Sequence, residues 1–196
     1  MSEPFLLSVG ARRGHFRLES GHHSDFWMDL ESLCLRPAAI QPFAARLAAR
    51  LQGYDVAAVC GPLNEGAFVA LMVASELQCD FTYAERFADP GRDSLFPVTY
   101  RLPTTLGPFV RGRRVAIVND VISAGSAVRG AFADLDRLGA CVVAIGSLLV
   151  LGAEIQAFAA ERRVPVETLA QEPAKLWTPA DCPLCRSGIA LENISS

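Results

Sequence analysis

Apolar and polar positions follow two rhythms along this chain. Largely apolar runs at 56–60, 81–84, 115–118 and 142–150 read as strands, and 115–118, which has no polar residue, as one covered on both faces. Between them the apolar residues recur at helical spacing. After Pro37 they are Ile40, Phe43, Ala44, Leu47, Ala48 and Leu51; after residue 127 they are Val128, Ala131, Phe132, Leu135 and Leu138. Pro37 suits a helix start and Gly53 a helix end. Residues 67–77 read as a helix apolar on most sides. Residues 2–12 suit a short helix, and 15–18 and 26–30 suit short strands around a polar turn at 19–25. Segment 98–102 reads as a strand and 166–169 as a sheet edge. Strands alternating with helices predict an α/β fold: a mostly parallel twisted sheet with helices on both faces, preceded by an N-terminal hairpin. Ligands of such sheets bind beyond the carboxyl ends of the strands. That rule sets the loops 61–66, 85–97 and 120–126 along one edge.

The chemistry concentrates at 114–129. There the strand 115–118 leads to Asp120, then to the small residues Ser123, Ala124, Gly125 and Ser126, then to a helix. Small residues let backbone approach a ligand, and successive N–H groups at a helix start form an anion-binding nest. A carboxylate that takes hydroxyls beside a nest that takes phosphate describes a ribose 5-phosphate site. Three spaced glycines or a Gly-Lys-Ser/Thr run would indicate a dinucleotide or a P-loop, and neither occurs. The 60–66 segment, Cys60-Gly-Pro-Leu-Asn-Glu-Gly66, repeats the strand–loop–helix form. Its residues alone allow either a second phosphate cradle or an ordinary turn with Glu65 favoured by the helix dipole.

Composition narrows the class. A chain of 196 residues, 51% apolar, forms a sizeable core and fits one domain spanning 1–196. A net charge of −3 leaves no general basic face for nucleic acid. The longest apolar stretch, 141–151, is too short to span a bilayer. Glu3 near the start and the lack of an apolar leader lead to the expectation of a cytoplasmic protein. Of the six cysteines, Cys34, Cys60, Cys79 and Cys141 lie singly among apolar neighbours and read as core. Cys182 and Cys185 have the spacing of half a zinc knuckle, with His22/His23, a distant cysteine or a second subunit to complete it; free thiols or a redox pair are the alternatives.

The stretch 118–127, Val118-Asn119-Asp120-Val-Ile-Ser-Ala-Gly-Ser-Ala127, resembles the phosphoribosyl diphosphate (PRPP) motif of type I phosphoribosyltransferases. The resemblance covers most of the chain and is closest to the orotate branch. Segment 14–29 is similar to that branch's base-binding hairpin, and Tyr83-Ala-Glu-Arg86 to the strand leading into its mobile loop. The resemblance implies a hood over residues 1–36, an α/β core over 37–170 and a cysteine-bearing extension over 171–196. It implies ribose and 5-phosphate binding by Asn119, Asp120, Ser123, Ala124, Gly125, Ser126 and Ala127. Diphosphate would fall to Gly61, Pro62, Leu63, Asn64, Glu65, Gly66, Arg86 and Arg92, and the base to Ser20, Gly21, Phe26 and Trp27. Phe26 reads equally well as core, since Phe26 and Trp27 point to opposite faces. Asp120 and Arg86 are the catalytic candidates, with Mg²⁺ held through substrate and Asp120, and with the 85–97 loop as lid.

The chain departs from the family pattern in four places. Asn119 stands where the first of two successive acids is usual. Glu19 replaces a lysine, the lid carries only Arg92 beyond Arg86, and Leu149-Val-Leu-Gly152 lacks the usual Asp-Arg pair. Expected partners are PRPP, a base and a second copy of the chain. The implied activity is Mg²⁺-dependent phosphoribosyl transfer to orotate; transfer to a purine or other heterocycle and a non-catalytic PRPP sensor are the alternatives.

Overall fold

The computed structural model describes residues 10–17, 21–29, 34–88 and 98–193. A six-stranded sheet carries the core. Its strands are β3 (Ala58–Pro62), β4 (Asp80–Ala88), β5 (Val98–Arg101), β6 (Arg114–Ile122), β7 (Cys141–Leu151) and β8 (Val166–Glu172), in the order β5-β4-β3-β6-β7-β8. All neighbours are parallel except the β4–β5 hairpin at one edge.

Side chains alternate between the two faces, and both faces are covered. Val59, Ala116, Val118 and Ala144 join one cluster with α1 (Pro37–Leu51) and α2 (Glu65–Leu77). Ala58, Cys60, Val115, Ile117 and Ile145 join the other, under α3 (Ser126–Arg137) and α4 (Glu154–Arg162). The uninterrupted apolar runs are thus buried on both sides, as their lack of alternation requires.

A second sheet, in the order β10-β1-β2-β9, draws on both chain ends. It pairs β1 (Arg12–Arg17) and β2 (His23–Trp27) with the two-residue strands β9 (Leu176–Trp177) and β10 (Glu192–Asn193). Arg13 ties this sheet to the core through Glu172 of β8 at 3.1 Å, and it also meets Asp25 of the neighbouring strand β2 at 3.5 Å. The extension after residue 171 therefore completes the hairpin's own sheet.

Several elements differ from their sequence reading. The strand at 115–118 runs on to Ile122, so Asp120 lies within it and not at its end. Helix α2 starts at Glu65, which takes Glu65 and Gly66 out of the loop. The second hairpin strand is His23–Trp27 and not 26–30: it begins earlier, where His23 pairs with Arg17 of β1 and with Trp177 of β9. Asp55, at φ 52°, takes the left-handed position after α1 where Gly53 was expected. Cys141 is exposed at the start of β7, while Cys60 is fully buried. Of the expected 2–12 helix, residues 1–9 lie outside the described residues, and Arg12 already begins β1.

Candidate active site

Strands β3, β4 and β6 run parallel, so their carboxyl ends share one edge. The start of α2 and the end of β6 meet there through a tight contact. Gly66, in the first turn of α2, packs on the Asn119 side chain; a Cβ there would overlap Asn119 Oδ1. Asn119 Nδ2 donates to the Val121 carbonyl at 2.8 Å. A carboxylate at 119 has no hydrogen to give that carbonyl. The amide therefore locks the end of β6 against the start of α2.

Asp120 is buried, 6% exposed. Burial pushes its pKa up to about 7, and the neighbouring Glu65 carboxylate pushes the same way, against backbone N–H groups that favour the charged form. Its carbonyl accepts a hydrogen bond from Ser147 Oγ at 3.0 Å, which fixes the backbone. Cys34 lies in the field of both acids; burial first, then Asp120 and Glu65, raise its thiol to about 11.

Beyond β6 the loop turns through Gly125, whose φ of 78° is the left-handed conformation that favours glycine. Gly125 has Ile155 Cδ1 3.1 Å from where a Cβ would stand, so the loop is seated on α4. Helix α3 opens at Ser126 without any side-chain cap. Its first N–H groups are therefore not taken by a side-chain cap and stay available to an anion, as the nest reading requires. Ser123, Ala124, Ser126 and Ala127 are half-buried around this turn.

In the second loop, Gly61 packs so tightly on Ala67 and Ala70 that only glycine fits. The Leu63 N–H bonds the Ala84 carbonyl at 2.9 Å, and the Leu63–Asn64 peptide is cis. Arg86 is exposed near the end of β4 and pairs across the strands with Tyr100. Tyr100 packs on Gly130 of α3. Burial raises the Tyr100 pKa, the Arg86 charge pulls it back, and the Asp120 charge adds to the rise. The paired ends of β4 and β5 and the acid thus share one neighbourhood; residues 89–97 of the expected lid lie outside the described residues. The buried Asp134 carboxylate, which accepts the Leu102 N–H at 2.8 Å, holds down the chain just after β5.

Other expected residues are placed differently. Phe26 is buried in the core beside α1 and beneath the Arg13 guanidinium, so it walls no open site. Trp27 is half-buried under Arg12, 4.9 Å from its ring, and Gly21 is at the turn with φ 79°. Ser20 and Arg92 lie outside the described residues. Cys182 and Cys185, at the short helix Pro183–Arg186, stand beside His15 and His23 of the second sheet. An open cavity of about 560 Å³ adjoins the carboxyl ends of β7 and β8, lined by Gly152, Ala153, Gln171, Pro173, Ala174 and Lys175. The sequence reading took Cys34 for core and passed over Tyr100 and Lys175, since none stands in a motif; only folding brings them to this edge.

No protein-family model matches the chain. The fold is similar to that of orotate phosphoribosyltransferase from Aeropyrum pernix, with a TM-score of 0.65, 23% identity and coverage of 87% of this chain and 93% of that one. It is also similar to Trypanosoma brucei adenine phosphoribosyltransferase, solved with AMP, pyrophosphate and ribose 5-phosphate, at a TM-score of 0.63, 18% identity, and 76% and 70% coverage. These neighbours define the class: a type I phosphoribosyltransferase fold. In sequence, the whole chain aligns over 198 positions with 98% of the orotate phosphoribosyltransferase of Thermotoga maritima, at 33% identity. The chain belongs to the orotate phosphoribosyltransferase family.

Proposed function

We propose that this chain transfers the phosphoribosyl group of PRPP to orotate. The observation that carries the reading is the joint at Gly66 and Asn119. It sets Asp120, the uncapped start of α3 and the 61–64 loop at one sheet edge. Asp120 accepts from the ribose hydroxyls, the 123–127 turn holds the 5-phosphate through backbone N–H groups, and the 61–64 loop receives the diphosphate. Arg86, with Arg92 from the lid, neutralises the leaving diphosphate as the bond to ribose C1 breaks and a base nitrogen attacks. Positive charge on C1 and the ring oxygen is favoured by the nearby carboxylates. Ser20, Gly21 and Trp27 frame the base.

The Glu65 carboxylate adds to the burial that raises Asp120 at this edge, and two neighbouring carboxylates suit a hard dication. Mg²⁺ bound with PRPP would be held by Asp120 and would supply charge neutralisation for the diphosphate. Glu65, a poor neighbour for diphosphate by itself, is then accommodated.

The usual cation after β7 is absent, but Lys175 lines the cavity with Gly152 and Ala153. We assign Lys175 to the orotate carboxylate, which needs a cationic partner on entering a protein site. No helix of the described residues is long and apolar enough to cross a membrane. Cytoplasmic action as a homodimer is the reading that goes with this activity; sedimentation of the purified chain tests the dimer.

The test is diphosphate release from PRPP and Mg²⁺ across a panel of bases. Release with orotate is the expected outcome. Release only with another base would move the assignment to that base, and tight PRPP binding with no turnover on any base would make the chain a sensor.

A further inference from the structure

Away from the sheet edge, four metal-binding side chains converge from distant parts of the sequence. His15 on β1, His23 on β2, and Cys182 and Cys185 around the one-turn helix Pro183–Arg186 place their ligand atoms within 4.8 Å of one another. We propose that these residues hold one structural Zn²⁺ that clamps the end of the chain to the N-terminal hairpin.

The distances are those of a tetrahedron around such an ion. Zinc bonds of about 2.0–2.1 Å to nitrogen and about 2.3 Å to sulfur give ligand separations of roughly 3.3 Å for N–N and 3.6 Å for N–S. The structure has His15 Nε2 3.1 Å from His23 Nδ1. Cys182 Sγ is 3.4 Å and Cys185 Sγ 3.7 Å from His15 Nε2, and Cys185 Sγ is 3.3 Å from His23 Nδ1.

The orientation of His15 supports the same conclusion. Its Nδ1 lies 2.9 Å from the Ile189 carbonyl, which only accepts, so Nδ1 carries the hydrogen. Nε2 is left with a lone pair, aimed at a histidine nitrogen and two sulfurs. A backbone carbonyl that fixes the far nitrogen is the usual support for a metal-bound histidine. His15, His23 and Cys182 are at most 5% exposed. Two thiolates and a dication leave the cluster neutral, with the two thiol protons released to solvent on binding. Four protein ligands leave no open position, which marks a structural ion and not a catalytic one.

The fold has a device that builds the site. The β1–β2 register slips between Arg13 and Phe16, so one extra residue stands on β1. Such a bulge re-aims side chains. Here His15 and Phe16 are both buried although they are consecutive. Gly14 permits this: a Cβ there would lie 2.7 Å from the Phe16 ring. On the other side, β9 and β10 contribute two residues each, so their pairing alone secures little.

The experiment is metal analysis of the full chain, purified without chelator and dialysed. About one zinc per chain is expected. Cys182→Ser and Cys185→Ser should each bring zinc below half an equivalent and lower Tm by roughly 10 °C. Cys141→Ser, whose thiol is exposed elsewhere, should change neither. Cobalt substitution should give the intense visible bands of a tetrahedral thiolate site. Less than half an equivalent in the unaltered chain, zinc retained by the cysteine variants, or a Cys182–Cys185 disulfide in non-reducing mass spectra would each overturn the proposal. These readouts need no turnover, so they stand or fall separately from the transferase reading.

Discussion

Asp120 is the residue in which position and chemistry are most closely coupled. Its pKa of about 7 is set first by burial. Holding it ionised there costs roughly 4 kcal/mol relative to the ordinary carboxylate. A raised pKa means that the folded chain binds a proton the unfolded chain has already lost. The favourable contribution is therefore complete below the ordinary value of 3.8 and is lost as pH rises to about 7. Melting curves of the unaltered protein and Asp120→Asn should converge in acid. They should separate across this window, with the unaltered protein losing stability as pH rises. The acceptor needed for ribose hydroxyls is the ionised form, so PRPP affinity should rise through pH 7 and then level. A flat PRPP affinity between pH 6 and 8 would remove Asp120 from ribose binding. Asn119 acquires a role that its missing charge concealed: its amide hydrogen serves the Val121 carbonyl.

Among the elements, the joint between β6 and α2 is the one that sets the site. Gly66→Ala should displace Asn119, lower Tm by several degrees and reduce turnover at least about tenfold. Trimming the partner should relieve the clash, so Gly66→Ala combined with Asn119→Ala should cost much less than the sum of the two. Additive losses in stability and turnover would mean that the contact does not hold the site together. The strands around this joint were legible in sequence because runs such as 115–118 have no polar interruption, and α1 and α3 because their apolar residues keep helical spacing. The 123–127 turn was legible because Gly125 and its small neighbours follow an acid at short range. Other elements left no local trace. Two residues carry no periodicity, so β9 and β10 were invisible. The bulge at Gly14 breaks the alternation, so the burial of His15 beside Phe16 left no pattern to read. The burial of Phe26 is decided by α1, which is remote in sequence.

At the scale of the molecule, the cavity beside β7 and β8 adjoins the site edge and carries the chain's one lysine. Lys175 lies next to the hood, where its N–H bonds Asp25 Oδ1 at 2.9 Å. Lys175→Ala should raise KM for orotate by roughly tenfold or more while leaving KM for PRPP nearly unchanged, the size expected for one charge-assisted contact. Equal changes in both constants would point to a general loss of structure. Neither the lysine nor its cavity belongs to a motif, since both arise where the β8 edge meets the hood.

The hood sheet draws its strands from both ends of the chain, and His15 meets the Ile189 carbonyl across 174 positions of sequence. A ribosome makes the hairpin first and its flanking strands last, at about 5–20 residues per second. On that clock the first hairpin waits roughly 10–35 s for the partners that complete its sheet. The sheet edge we assign to the sugar phosphate is synthesised well before then, so on that assignment a nascent chain acquires the PRPP half of its site before the base half.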